Sequence, residues 1–310
     1  MGYDGVCFGG VAMIVECVVD SRDKLGEGCL WDAEAQALWW LDIARPSRIH
    51  RFVPSTQKHD IWMSPLLLTA IAKKKSGGFV VGGEDGVYGF DPVTGLTTAF
   101  CRPESNIPHN RMNDGAVDPQ GRFWLGSMMQ NIGPNGEDCE ITADTGNLFR
   151  ISADGGSQRM ERNVGVSNGP CWSPDGSTFY FSDSKNKVIY AYDFDGGSGE
   201  ISNRRVLSDE KNYGYPDGAT VDVEGYIWSA RWEGACVIRF DPSGRIDRII
   251  DVPASRVTCP VFGGADLDTL YLTTSRAHVS AATLARYPDQ GGVFAVKPGV
   301  KGILKNEFAG

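Results

Sequence analysis

Six short apolar strands recur along this chain at nearly even spacing, and that recurrence constrains the fold more than any other feature. They read Leu38-Trp39-Trp40-Leu41-Asp42, Gly78-Phe79-Val80-Val81-Gly82, Arg122-Phe123-Trp124-Leu125-Gly126, Thr178-Phe179-Tyr180-Phe181-Ser182, Tyr226-Ile227-Trp228-Ser229-Ala230 and Thr269-Leu270-Tyr271-Leu272-Thr273. With Trp40, Val80, Trp124, Tyr180, Trp228 and Tyr271 as the register, the steps are 40, 44, 56, 48 and 43 residues, close to the length of a four-stranded propeller blade. Most copies are followed by a second strand and a turn, as in Gly86-Val-Tyr-Gly-Phe-Asp-Pro and Ala235-Cys-Val-Ile-Arg-Phe-Asp-Pro. Each is preceded by a turn such as Asp118-Pro-Gln-Gly or Asp222-Val-Glu-Gly and, before that, a short apolar strand. The pattern predicts an all-β protein, a six-bladed β-propeller spanning residues 1–310 as a single domain. A strand at about 13–19 is expected to join the last blade and close the ring, leaving no exposed edge. Only residues 280–286 look helical.

Composition narrows the partners. The chain is 41% hydrophobic and 22% charged, as expected of a globular protein, with a formal net charge of -9 that opposes binding to nucleic acid phosphates. The one basic run, Lys73-Lys74-Lys75, reads as a solvated turn. No apolar run is long enough to span a bilayer, which argues against membrane insertion. The eight cysteines include no C-x-x-C pair, and the first residues carry no basic leader. These features read as a cytoplasmic protein with reduced thiols, a monomer or a weak homo-oligomer.

In a propeller, residues at one phase just ahead of the register strand converge on one mouth of the central channel. Counting back 11 to 13 residues gives Glu27, Thr69, Asn113, Asn168, Asp217 and Thr258. Four of these bear carboxylate or amide oxygens, and such groups gathered in one cavity need a partner. A divalent cation is the simplest one: Ca, Mg or Mn by preference for oxygen, with Zn and Fe also accepting carboxylates. Asn-Gly and Asp-Gly are also common turn formers. A turn does not explain Glu27 at the same phase.

With these motifs in order, the chain resembles the SMP-30/gluconolactonase/LRE-like family, also called the regucalcin family, which contains sugar lactonases. The similarity runs from Leu25-Gly-Glu-Gly to Tyr287-Pro-Asp-Gln-Gly-Gly-Val-Phe-Ala-Val. It is closest in character to bacterial aldonolactonases. The resemblance implies that Glu27, Asn168 and Asp217 hold a single divalent metal cation (Ca, Zn, Mn, Mg or Fe) and that Asp217 is the catalytic base. It further implies that Arg111 binds the substrate, a small-molecule sugar lactone, and that Asn113 contacts the substrate or a metal-bound water. Where animal members carry a sugar-contacting glutamate, Gln130 stands here. His109, two residues before Arg111, is a candidate for the pocket rim, and the long third step places a loop at about 130–145 over the mouth.

The chemistry these residues support is ester hydrolysis without a serine nucleophile, and the resemblance implies a glucono-, xylono-, arabinono- or galactonolactone as the ester, opened to its sugar acid. Whether Asp217 takes the proton from water or only orients it stays open at this point. So do two other functions: a non-catalytic calcium-binding or regulatory propeller, and a broader esterase or lactonase. Gly165-Val-Ser-Asn-Gly169 matches the nucleophile elbow formally, but Pro170-Cys-Trp-Ser-Pro after it cannot begin the required helix. Trp39, Trp40, Trp124 and Trp228 read as packing between blades.

Overall fold

The computed structural model describes residues 13–310 and consists of six four-stranded antiparallel sheets. They form a six-bladed propeller. Their innermost strands are Gly26–Asp32, Leu68–Lys73, Asn110–Val117, Ser167–Trp172, Tyr215–Val221 and Val257–Gly263, for blades one to six. In each blade the chain then steps outward strand by strand. Blade six is completed by Glu16–Val19, which pairs with Val293–Val296 as its outermost strand. A helix at Ala281–Arg286 is the one helical segment among the described residues, capped by the Ser280 side chain. No described helix is long and apolar enough to cross a membrane.

The blades are joined by apolar side chains shared across each boundary. Trp39, Leu41 and Phe79 bind blade one to blade two; Trp124 and Phe179 bind blade three to blade four; Trp228 and Phe262 bind blade five to blade six. The register tryptophans are therefore interior. Trp40, Trp124 and Trp228 are fully buried, and their indole N–H groups need acceptors there. Each finds a buried carboxylate: Trp40 donates to Asp23 at 2.8 Å, Trp124 to Asp118 at 3.0 Å and Trp228 to Asp222 at 2.9 Å. Asp118 and Asp222 sit six residues before their tryptophans and also accept backbone N–H bonds that form the intervening turn.

Two segments close the ring's faces. Residues 130–145 leave blade three at the face where the inner strands begin. Within them Ile132 pairs with Asp138 in a small hairpin, and Ile132 packs on Ile43 and Leu67 of blades one and two. At the opposite face, where the inner strands end, residues 301–310 run across several blades. Phe308 bonds through its backbone to Lys73 and Lys75, Gly302 to Leu267 and Ala309 to Gly121. The basic run is a solvated turn only at its end: Lys75 is exposed in the turn closed by Lys74 and Gly78, while Lys73 pairs with Asp32 and Glu34 and Lys74 bridges to Phe308 in this docking seam.

Candidate active site

Every inner strand carries a local irregularity at the phase picked out by the sequence. The pairing register of the inner strand with its neighbour shifts between Glu27 and Leu30, Leu68 and Ala70, Met112 and Gly115, Asn168 and Cys171, Pro216 and Ala219, and Val257 and Pro260. An extra residue on one strand bends it and re-aims side chains that strict alternation would send elsewhere. Asn113, Asp217, Thr69 and Thr258 lie within these bulges, while Glu27 and Asn168 immediately precede theirs. Glycine makes the close approach possible. Gly169 has φ +57 and a Cβ there would stand 2.9 Å from the Asp217 carbonyl oxygen; at Gly218 a Cβ would stand 2.8 Å from that of Thr258.

A chain of hydrogen bonds then links three blades. Arg111 Nη1 donates to Asn113 Oδ1 at 2.6 Å, and Asn113 Nδ2 donates to Asn168 Oδ1 at 2.9 Å and to the Ser167 carbonyl at 2.8 Å. Asn168 Nδ2 donates to Ser184 Oγ at 2.8 Å, and Ser184 in turn donates to the Pro216 carbonyl at 2.5 Å, next to Asp217. This fixes the amide of Asn168 with its oxygen on the Asn113 side. Arg111 Nε is held by Asn131 at 2.9 Å, and its Nη2 has no protein hydrogen-bond partner among the described residues.

Glu27 and Asp217 are both buried. Burial pushes the Glu27 carboxyl well above the usual range, and the charge of Asp217 beside it pushes further. Asp217 is raised in the same way, by burial and then by Asp114, with the Gly218 N–H and a hydrogen bond to Glu27 opposing. Burial lowers Arg111 to about 10, countered by Glu27 and Glu84. Two carboxyls pressed together in a buried site are an unfavourable arrangement for anions and a favourable one for a cation. The donor set is two carboxylates and one oriented amide oxygen, which fits a hard divalent cation. Among the described residues no three His, Cys, Asp or Glu side chains gather for a metal, so this mixed set is the candidate centre.

The rim is less uniform. Gln130 is half-buried at the root of the 130–145 loop, while His109 is exposed and meets Gln130 through its backbone carbonyl at 2.9 Å. Asn113 spends both amide N–H groups on Ser167 and Asn168 and accepts from Arg111 on its oxygen, so it positions Arg111 and Asn168 and keeps one acceptor site on Oδ1. Sequence reasoning missed Ser184, which bridges blades four and five, and Asn131, which holds Arg111 from the loop of the same blade. It also missed Asp114, whose carboxylate accepts the N–H groups of Gly115 and Gly169 at 2.8 Å each. Its place in Asn113-Asp114-Gly115 was the available signal.

Known proteins are similar to this chain along most of its length. A profile of the SMP-30/gluconolactonase/LRE-like region matches residues 25–276. The chain is 37% identical to 6-deoxy-6-sulfogluconolactonase of Pseudomonas putida, over 96% of this chain and 99% of that protein. It is 35% identical to the pentonolactonase XacC of Haloferax volcanii, over 85% and 86%. The solved structure of regucalcin from Agrobacterium tumefaciens, described as a calcium-binding protein, matches with a TM-score of 0.87 at 28% identity, covering 96% of this chain and 97% of that one.

Proposed function

The chain belongs to the SMP-30/gluconolactonase/LRE-like family, and from that premise we propose that it hydrolyses a sugar aldonolactone to the sugar acid with one divalent cation at Glu27, Asn168 and Asp217. The observation that carries this reading is the buried Glu27–Asp217 carboxyl pair beside an amide oxygen oriented by Asn113 and Ser184. Relatives named as lactonases of sugar acids support the same substrate class.

A divalent cation, when bound, supplies Lewis acidity toward the lactone carbonyl, the role a serine hydrolase gives to its oxyanion hole. The protein does the rest. Arg111 holds a substrate oxygen through the free Nη2, its planar fork kept rigid by Asn113, Asn131 and the Met112 carbonyl. Asp217 orients the attacking water and accepts its proton on the carboxylate. Water adds to the carbonyl carbon, the ring C–O bond breaks, and the ring oxygen leaves as a hydroxyl by taking back the proton that Asp217 accepted. The 130–145 loop limits access of bulk solvent from above.

Protein stripped with chelator and reloaded with Ca, Mg, Mn or Zn is tested by pH-stat for acid release from glucono-, xylono-, arabinono- and galactonolactone. Release above the spontaneous rate, restored by metal, is expected. A preference for apolar aryl esters, or no release with any metal, would overturn the reading.

A further inference from the structure

Glu84 lies in the turn Gly83-Glu84-Asp85-Gly86 of blade two, beside the Arg111 strand, where its backbone carbonyl accepts the Met112 N–H at 3.2 Å. Its carboxylate gathers two groups from other blades. Gln130 Nε2 donates to Glu84 Oε1 at 2.6 Å, and Arg45 of blade one pairs with the same oxygen. Arg45 Nε also holds the Gly133 carbonyl of the hairpin over the mouth at 3.1 Å. The pair is partly open: the side chains of Glu84 and Arg45 are 37% and 21% exposed. Glu84 Oε2 has no hydrogen-bond partner among the described residues.

We propose that Glu84 is the specificity-determining acceptor for the sugar hydroxyls remote from the lactone carbonyl, and that by neutralising Arg45 it selects uncharged aldonolactones over those bearing an anionic group. This rests on the lactonase reading above. Gln130, being neutral, brings no charge of its own, and its amide N–H is spent on Glu84, so the carboxylate at this wall comes from blade two. A carboxylate that accepts from hydroxyls rejects a phosphate or sulfonate both by repulsion and by occupying the cation that would pair with it. Lys24 keeps its charge, but its ammonium is turned onto the Gly136 carbonyl of the hairpin and makes no ion pair with Glu84.

The experiment compares kcat and KM of metal-loaded wild type, Glu84→Gln and Arg45→Met on glucono-1,5-lactone and on 6-phosphoglucono-1,5-lactone, after subtracting spontaneous hydrolysis. Wild type is expected to favour the uncharged lactone. Glu84→Gln keeps the side-chain shape and should lose about tenfold in kcat/KM on it, mainly through KM, while gaining on the phosphorylated one. Arg45→Met, which leaves Glu84 charged and unpaired, should move the preference the opposite way. The proposal is overturned if Glu84→Gln lowers kcat equally for both lactones, if it changes neither, or if wild type already prefers the phosphorylated substrate. In each of those cases lactonase activity itself still stands. Absence of metal-dependent turnover of either lactone by wild type would overturn both readings.

Discussion

The candidate ligands face the channel because of single residues that break strand regularity. Gly169 combines a left-handed φ with a backbone carbonyl 2.9 Å from where a Cβ would be. Gly169→Ala is therefore expected to destabilise the protein by about 1–3 kcal/mol in urea unfolding and to displace Asn168. The carboxyl pair gives a pH signature. In the unfolded chain Glu27 and Asp217 ionise near pH ~4, whereas in the metal-free fold both are held protonated to higher pH. The folded state then binds more protons than the unfolded one, so this contribution to stability is full below the unfolded pKa and is lost as pH rises through the folded values. Urea midpoints of chelated protein between pH 4 and 8 should show this as a decline that Glu27→Gln flattens and added cation offsets. Asp23, which burial raises to about 7, acts in the same direction, and neutral His50, lowered to about 3, acts oppositely. The difference between wild type and Glu27→Gln isolates the site. The phase of Glu27, Asn113, Asn168 and Asp217 was legible in the sequence because a repeat maps equal positions to equal places. Ser184, Asn131 and Glu84 were not: Ser184 and Glu84 act on residues of another blade, Asn131 reaches Arg111 from a loop that lacks the repeat, and each lies in an ordinary polar turn or loop.

At the level of the blade, the strands themselves were readable from their aromatic and β-branched runs, and the bulges were not. Nothing in an unaligned strand announces one extra residue; only the paired register does. The blades also share a polar device that the turns Asp118-Pro-Gln-Gly and Asp222-Val-Glu-Gly hinted at. Asp222 is buried and binds the Trp228 indole, Arg239 and two backbone N–H groups together. Removing it leaves the indole N–H and Arg239 Nε without acceptors in the interior, with Asp247 and Glu224 still holding the rest of the guanidinium. Asp222→Ala should cost about 3 kcal/mol by urea unfolding, an order larger than Asp154→Ala in the exposed turn of blade three, where the carboxylate meets only the Gly156 N–H.

For the molecule as a whole, the ring is held shut by Glu16–Val19 at its seam and spanned by residues 301–310 on the face away from the site. Phe308 is buried against Phe123 and Phe100, and Phe308→Ala should lower stability by about 3–5 kcal/mol. Lys305 from the same segment reaches the Cys29 carbonyl at 2.9 Å, on the inner strand that carries Glu27. The channel is thus stoppered below the candidate ligands, leaving the mouth under the 130–145 loop as the approach for substrate. The sequence signalled the loop by its long step but gave no sign of the stopper, because residues 301–310 lack the repeat. One cation held by Glu27, Asn168 and Asp217 is proposed to make the site hydrolytic. This proposal is tested most directly by titrating chelated wild type and Asp217→Asn with a divalent cation while following metal bound and acid released from an aldonolactone in the same samples. The account predicts that wild-type turnover rises with occupancy and saturates at one cation per chain, while Asp217→Asn binds more weakly and stays at least about a hundredfold slower even at saturation. Full turnover without metal, or an unimpaired Asp217→Asn, would contradict it.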